Sequence, residues 1–192
     1  MRFFALTCHL MPALERAGSS RVVTVASIAH KRGQIRLEDL QSERKYVPMD
    51  AYAQSKLADL MFTIELERRL RAANAGVVSI AAHPGVAATN LFQVGEFSAV
   101  ERMIRRLAGK GIGTFLNTEE EGALPTLFAA TSPAAYGGHY YGPQGLKEMR
   151  GGDVGEAEIS ARARDKGMAA RLWTACEEMT ETTLQRTPAS GT

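Results

Sequence analysis

Cysteine is scarce in this sequence. Cys8 and Cys176 are the only two in 192 residues and lie far apart, so a disulfide framework is excluded and free thiols in a reducing compartment are expected. Long apolar runs are missing as well, since nothing approaches the ~20 residues that a membrane-spanning helix requires. The apolar start, Phe3 to Leu6, meets Thr7, Cys8 and His9 at once and has no long hydrophobic region or cleavage site; it reads as a buried helix and not as a signal peptide. Charge of one sign is not in excess, with 23 Lys+Arg against 21 Asp+Glu and a formal net charge of +2. A polyanion binder would carry a clear basic surplus, so nucleic acid is not an expected partner. Internal repeats and low-complexity segments are absent, and no metal site is read from the residues. The expectation is a soluble, cytoplasmic protein whose 45% hydrophobic content supports one domain over residues 1–185, followed by a disordered tail at 186–192.

The order of patterns along the chain points to a fold class. Phe3, Leu6, Leu10 and Leu14 recur at helical spacing and predict a helix over 1–16, ended by Gly18-Ser19-Ser20. Arg21 to Ser27 is β-branched and nearly continuous in apolar character, as a strand covered on both faces is. Residues 28–48 form a long polar connection. Asp50 is a candidate cap for the next helix, which carries Leu57, Leu60, Met61 and Ile64 on one face and stops at Asn74-Ala75-Gly76. Val77 to Ala82 is a second buried strand, broken by His83-Pro84-Gly85. A short basic helix is predicted at 98–108 and another at 118–130, the latter opened by a Thr118–Glu121 capping box. A last short strand is predicted at 138–142 and a polar helix over about 156–184. Alternation of helix and strand argues an α/β protein, the C-terminal part of a doubly wound parallel (Rossmann-type) sheet with flanking helices.

The chemistry sits on two residues of the second helix. Tyr52 and Lys56 are four residues apart and therefore share a helix face. A phenol ionises near pH ~10 and is a poor base at neutrality, but a neighbouring cation favours its charged form and equips it to exchange a proton with a reacting carbonyl. Ser27 ends the first buried strand, and carboxyl ends of parallel strands line the ligand crevice of such sheets. His83-Pro84-Gly85 reaches the same edge, with Thr89 just beyond. Each piece alone has an ordinary explanation: a solvated Tyr–Lys pair, a hydroxyl bonding local backbone, a Pro-Gly turn.

Taken together, Val23-Thr24-Val25-Ala26-Ser27, Tyr52-x-x-x-Lys56 and His83-Pro84-Gly85-Val86-x-x-Thr89 resemble the short-chain dehydrogenase/reductase family. Ser27-Ile28-Ala29-His30 and Leu37-x-Asp39-Leu40-Gln41-Ser42-Glu43 resemble its retinol-dehydrogenase-like branch, which has a long insert between serine and tyrosine. The resemblance covers residues 1 to about 145. It implies an NAD(P)-dependent oxidoreductase acting on an alcohol or carbonyl. Tyr52 would be the general acid/base and Ser27 would orient the substrate oxygen. Lys56 would hold the nicotinamide ribose and assist the ionisation of Tyr52, Tyr52 would also contact the cofactor, and Pro84, Gly85, Val86 and Thr89 would contact the nicotinamide end. Residues 90–115 would form a substrate lid, in which Leu91, Phe92, Phe97, Val100 and Met103 would suit a lipophilic substrate and Arg102, Arg105, Arg106 and Lys110 are read as a solvated face. Helices 1–17 and 50–74 would form a homo-oligomer interface.

The sequence departs from the family at its start. There is no early strand with a Gly-rich turn for the pyrophosphate, and the residue that separates NAD from NADP is also missing, as is the Asn-Asn-Ala-Gly strand end. The chain therefore reads as N-terminally incomplete, whether through a misassigned start, a truncated product or a half supplied by a partner. The alternative to an enzyme is an inactive fragment that retains helix-mediated association.

Overall fold

In a computed structural model, which describes residues 2–86 and 117–185, the first element is the helix α1 (Arg2–Arg16). The strand β1 (Ser20–Val25), the long helix α2 (Pro48–Ala72) and the strand β2 (Val77–Ala82) follow it. Beyond residue 116 come the helix α3 (Glu119–Thr131), the strands β3 (Tyr140–Pro143) and β4 (Val154–Glu156), and the helix α4 (Lys166–Thr180). The strands form one sheet in the order β1-β2-β3-β4. β1 runs parallel to β2 from Ser20↔Val77 to Val25↔Ala82, and β2 runs parallel to β3. The carboxyl ends of three strands therefore share one edge.

Helices cover both faces. On one face Leu57, Leu60 and Met61 of α2 pack with Ala26, Ala81, Tyr140 and Leu172. Beside them Trp173 stands edge-on to Phe4 at 4.9 Å and stacks on Phe62, with the Arg69 guanidinium over its ring at 4.3 Å. Such aromatic and cation–π contacts add to the apolar area that the cluster buries. On the other face Ala129 and Ala135 meet Ile80, Ala82 and Tyr141. This is the expected α/β class, a sheet of three parallel strands and one antiparallel edge strand with helices on either side.

Several expectations need correcting. β1 stops at Val25, and Ser27 instead caps a 3-10 turn, Ile28–Arg32. A second such turn, Leu37–Asp39, lies in what reads as a featureless connection. Three of the four residues of the expected α1 stripe face outward: Phe3, Leu6 and Leu10 are exposed, while Leu14 packs against the core formed by the buried Phe4, Cys8 and Met11. Asp50 does not cap α2. Val47 holds that place with Pro48 following it, and Asp50 lies in the first turn, where its charge suits the helix dipole. The helix expected over 156–184 covers only 166–180. Residues 154–156 instead add an antiparallel strand to β3, and Asp165 starts α4 by accepting from the Met168 N–H. The Thr118 capping box with Glu121 is present, and the last parallel strand lies slightly later than expected. The helix expected at 98–108, the lid at 90–115 and the tail at 186–192 lie outside the described residues. Among the described residues no helix is long and apolar enough to cross a membrane.

Gly33 sets how closely the Ser27 turn approaches α2. A Cβ there would collide with the Ala53 carbonyl and with the Leu57 side chain at 2.8 Å. Gly33→Ala is expected to cost about 1–3 kcal/mol as an overpacked contact, read as a lower urea midpoint. An unchanged midpoint would mean that the turn lifts away from α2 without penalty.

Candidate active site at the carboxyl edge of the sheet

The helix α2 carries its polar groups to this edge. Lys56 Nζ donates to the Val25 carbonyl at 2.9 Å and to Asp59 Oδ2 at 3.1 Å. Two acceptors thus compensate an ammonium that is largely shielded from water. Burial pushes the Asp59 carboxyl above its usual range, and Lys56 opposes that shift. Tyr52 lies one turn earlier, its ring centre 6.0 Å from Lys56 Nζ. Between them the buried Gln54 accepts from the Arg36 N–H at 3.0 Å and donates to the Leu40 carbonyl at 3.2 Å, which pins the connection onto α2.

Ser27 stands just past β1, in extended backbone at φ −159° and ψ 154°. Its hydroxyl oxygen accepts from the Ala29 N–H at 3.2 Å. That bond uses a lone pair and leaves the hydroxyl proton as a donor. Ser27 and the Lys56 ammonium thus sit at one end of β1, with Tyr52 on the adjoining turn of α2.

The neighbouring strand end is tied within the chain. Gly85 takes φ +70° against the Met149 carbonyl. Its N–H donates to His83 Nδ1 at 3.1 Å, and the Val86 N–H donates to the Met149 carbonyl at 2.7 Å. The buried Asn117 donates to the Pro84 carbonyl at 3.0 Å from its side chain and to the Val86 carbonyl at 3.0 Å from its backbone. Thr89 lies outside the described residues.

These residues fit the nicotinamide-ribose end of a dinucleotide in part. An ammonium has three N–H donors, and Lys56 has two acceptors among the described residues. The carbonyls of Pro84 and Val86 each keep a second lone pair for an amide donor. The N–H groups of Gly85 and Val86 are already engaged and do not serve a ligand as they stand.

Behind the edge lies a buried aromatic group that sequence reasoning missed. The Tyr140 ring is 4.9 Å from His83 and 5.4 Å from His30. Burial, then Glu148 and Tyr52, raise the Tyr140 phenol above its ordinary range. Burial pushes the His83 imidazole down from 6.5 to about 4. A side chain at residue 142 would occupy the space that the His83 ring fills, so Gly142 is a steric requirement of this cluster. Asp59, three residues after Lys56, had a helical-spacing signal. Asn117, Tyr140 and Gln54 had no local one.

A parallel sheet with helices on both faces and its polar residues at the carboxyl edge is a Rossmann-type α/β arrangement. No family model matches the chain. It is 36% identical over 178 residues to retinol dehydrogenase 14 of Mus musculus, an alignment covering 92% of this chain and 49% of that protein. It is 38% identical over 174 residues to polyprenol dehydrogenase of Mus musculus, covering 88% and 48%. The crystal structure of an uncharacterized protein from Mycobacterium paratuberculosis superposes with a TM-score of 0.71 at 39% identity, covering 95% of this chain and 57% of that one. The chain belongs to the short-chain dehydrogenase/reductase family, in its retinol-dehydrogenase-like branch. It spans about half the length of the curated relatives it matches.

The depressed His83 basicity carries a sign. Below pH 6.5 the unfolded chain takes up a proton that the folded imidazole does not accept until about pH 4. Stability therefore falls as acid is added through that window, by about 3 kcal/mol for this group. His83→Asn keeps an acceptor for the Gly85 N–H and is expected to flatten the fall, measured as urea unfolding free energy between pH 7 and 4. An unchanged slope would assign the acid loss to other groups.

Proposed function

We propose that the chain carries the proton-transfer groups of an NAD(P)-dependent oxidoreductase that interconverts an alcohol and a carbonyl. The observation that carries this reading is the tether of Lys56 Nζ to the Val25 carbonyl, at the strand end that also presents Ser27. Tyr52 gives or takes the proton of the reacting oxygen, and the Lys56 charge favours the negative charge that develops on the phenol. Ser27 donates its free hydroxyl proton to the same oxygen and fixes its position. Lys56 holds the nicotinamide ribose through its remaining N–H, and the Pro84 and Val86 carbonyls contact the nicotinamide end; Thr89 is assigned to that end by the family pattern alone. When bound, the nicotinamide supplies or accepts the hydride.

The relatives named for retinol and polyprenol support a lipophilic alcohol as substrate, in keeping with the apolar residues between 91 and 103. Two free thiols, Cys8 and Cys176, fit a reducing compartment such as the cytoplasm. Tyr52→Phe is expected to lower turnover of retinol by at least ~100-fold while NADH and NADPH binding, followed by calorimetry, stays unchanged. Normal turnover in that variant would remove the proposed acid/base.

A second reading rests on α1, where Phe3, Leu6 and Leu10 are 60%, 56% and 47% exposed. A contiguous apolar stripe of this kind favours association, and the chain then acts as a helix-mediated homo-oligomer with or without turnover. Leu6→Glu is expected to shift the sedimenting species to monomer. A variant that sediments like the parent would exclude this face.

A further inference from the structure

The turn that presents Ser27 is fastened from behind by a segment far away in sequence. His30 is completely buried. Its Nδ1 lies 2.8 Å from the Ser27 carbonyl, and its Nε2 lies 3.3 Å from the Ser160 backbone nitrogen. The Ser160 N–H can only donate, so Nε2 must present its lone pair. A neutral imidazole has one N–H, which then resides on Nδ1 and donates to the Ser27 carbonyl. That carbonyl also accepts from the His30 backbone N–H at 3.0 Å.

Neighbouring contacts fasten the same two segments. Lys31 reaches Glu158 at 2.8 Å, Arg162 donates to the Gly33 carbonyl at 3.0 Å, and Glu148 bridges from a third segment, accepting from Lys31 at 3.0 Å and from the Glu158 N–H at 2.6 Å. Ile159 and Ala163 anchor the 157–163 segment in the core. The burial that keeps His30 neutral lowers its basicity, in agreement with the tautomer that the bonds require.

We propose that His30 is a positioning residue: as the Nδ1–H tautomer it clamps the backbone of Ser27 to the 157–163 strap and so fixes where the Ser27 hydroxyl points. The positioning role rests on the reading of Ser27 as the substrate-facing hydroxyl; the clamp itself does not.

Two variants of the full chain separate the parts. His30→Phe keeps ring volume and removes both hydrogen bonds, whereas His30→Asn keeps a donor that can reach the Ser27 carbonyl. With retinol and NAD⁺ or NADP⁺, His30→Phe is expected to lower kcat by at least ~10-fold with KM little changed, as misplacement of a reacting group does, and His30→Asn to recover most of it. Equal turnover in His30→Phe and the parent, or no recovery in His30→Asn, would overturn the positioning role.

Nitrogen NMR of the parent chain should show His30 protonated on Nδ1, and the Ser160 amide should exchange faster in His30→Phe. An Nε2–H tautomer, or unchanged Ser160 exchange, would overturn the clamp. No turnover by the parent chain would sink the enzymatic reading and the positioning role with it, and the tautomer and the amide exchange then decide the clamp alone.

Discussion

One ammonium group holds the candidate site together. Lys56 reaches from the third turn of α2 to the last carbonyl of β1 and shares its remaining charge with Asp59. A partly dehydrated cation requires such acceptors, and removing one leaves the other poorly compensated. The contact fixes the helix against the strand where they approach the sheet edge. Tyr52 is placed by the same helix, and Ser27 lies two residues beyond the tethered Val25, so both take their positions from this bridge. Gly33, pressed against Ala53, brings the Ser27 turn down onto α2 from the other side.

Around this bridge the structure resolves its polar groups in two ways. Past the end of β2 the backbone groups of Pro84, Gly85 and Val86 find partners within the chain. Asn117 alone serves Pro84, Val86 and Gly151, which orders a stretch whose sequence announces only a Pro-Gly turn. Behind the edge the treatment is different. His83 Nε2 and the Tyr140 hydroxyl are buried without a hydrogen-bond partner among the described residues. Each such group costs about 1–3 kcal/mol relative to a paired one. Ring contacts with close-packed neighbours offset part of that.

Where the sequence was legible, the signal was local. β2 reads from a run of buried side chains, α2 from its Leu57–Leu60–Met61 stripe, and α3 from the reciprocal Thr118–Glu121 cap. The Tyr52–Lys56 spacing was visible for the same reason, whereas Ser27 reads as the strand end and instead caps the turn beyond it. α1 was misread because it carries two apolar stripes at helical spacing, Phe3–Leu6–Leu10 and Phe4–Cys8–Met11, and only packing against Trp173 and Val77 decides between them. The C-terminal helix starts later than its pattern predicts because residues 156–165 are held by distant partners: Ala157 by the Tyr140 carbonyl, Ser160 by His30 and Arg162 by the Gly33 carbonyl. The His30–Ser160 and Lys31–Glu148 contacts join distant segments and leave no periodic trace.

The packing of His83 over Gly142 links two positions that are remote in the chain. The imidazole occupies the volume that any side chain at 142 would need. A larger residue at 142 is therefore compatible with this backbone only when the ring at 83 is smaller, so position 142 is free to change only after position 83 has. Among homologues the prediction is covariation: glycine at the second position wherever a ring stands at the first. In engineered variants the same coupling makes a double replacement at 83 and 142 milder than the single change at 142.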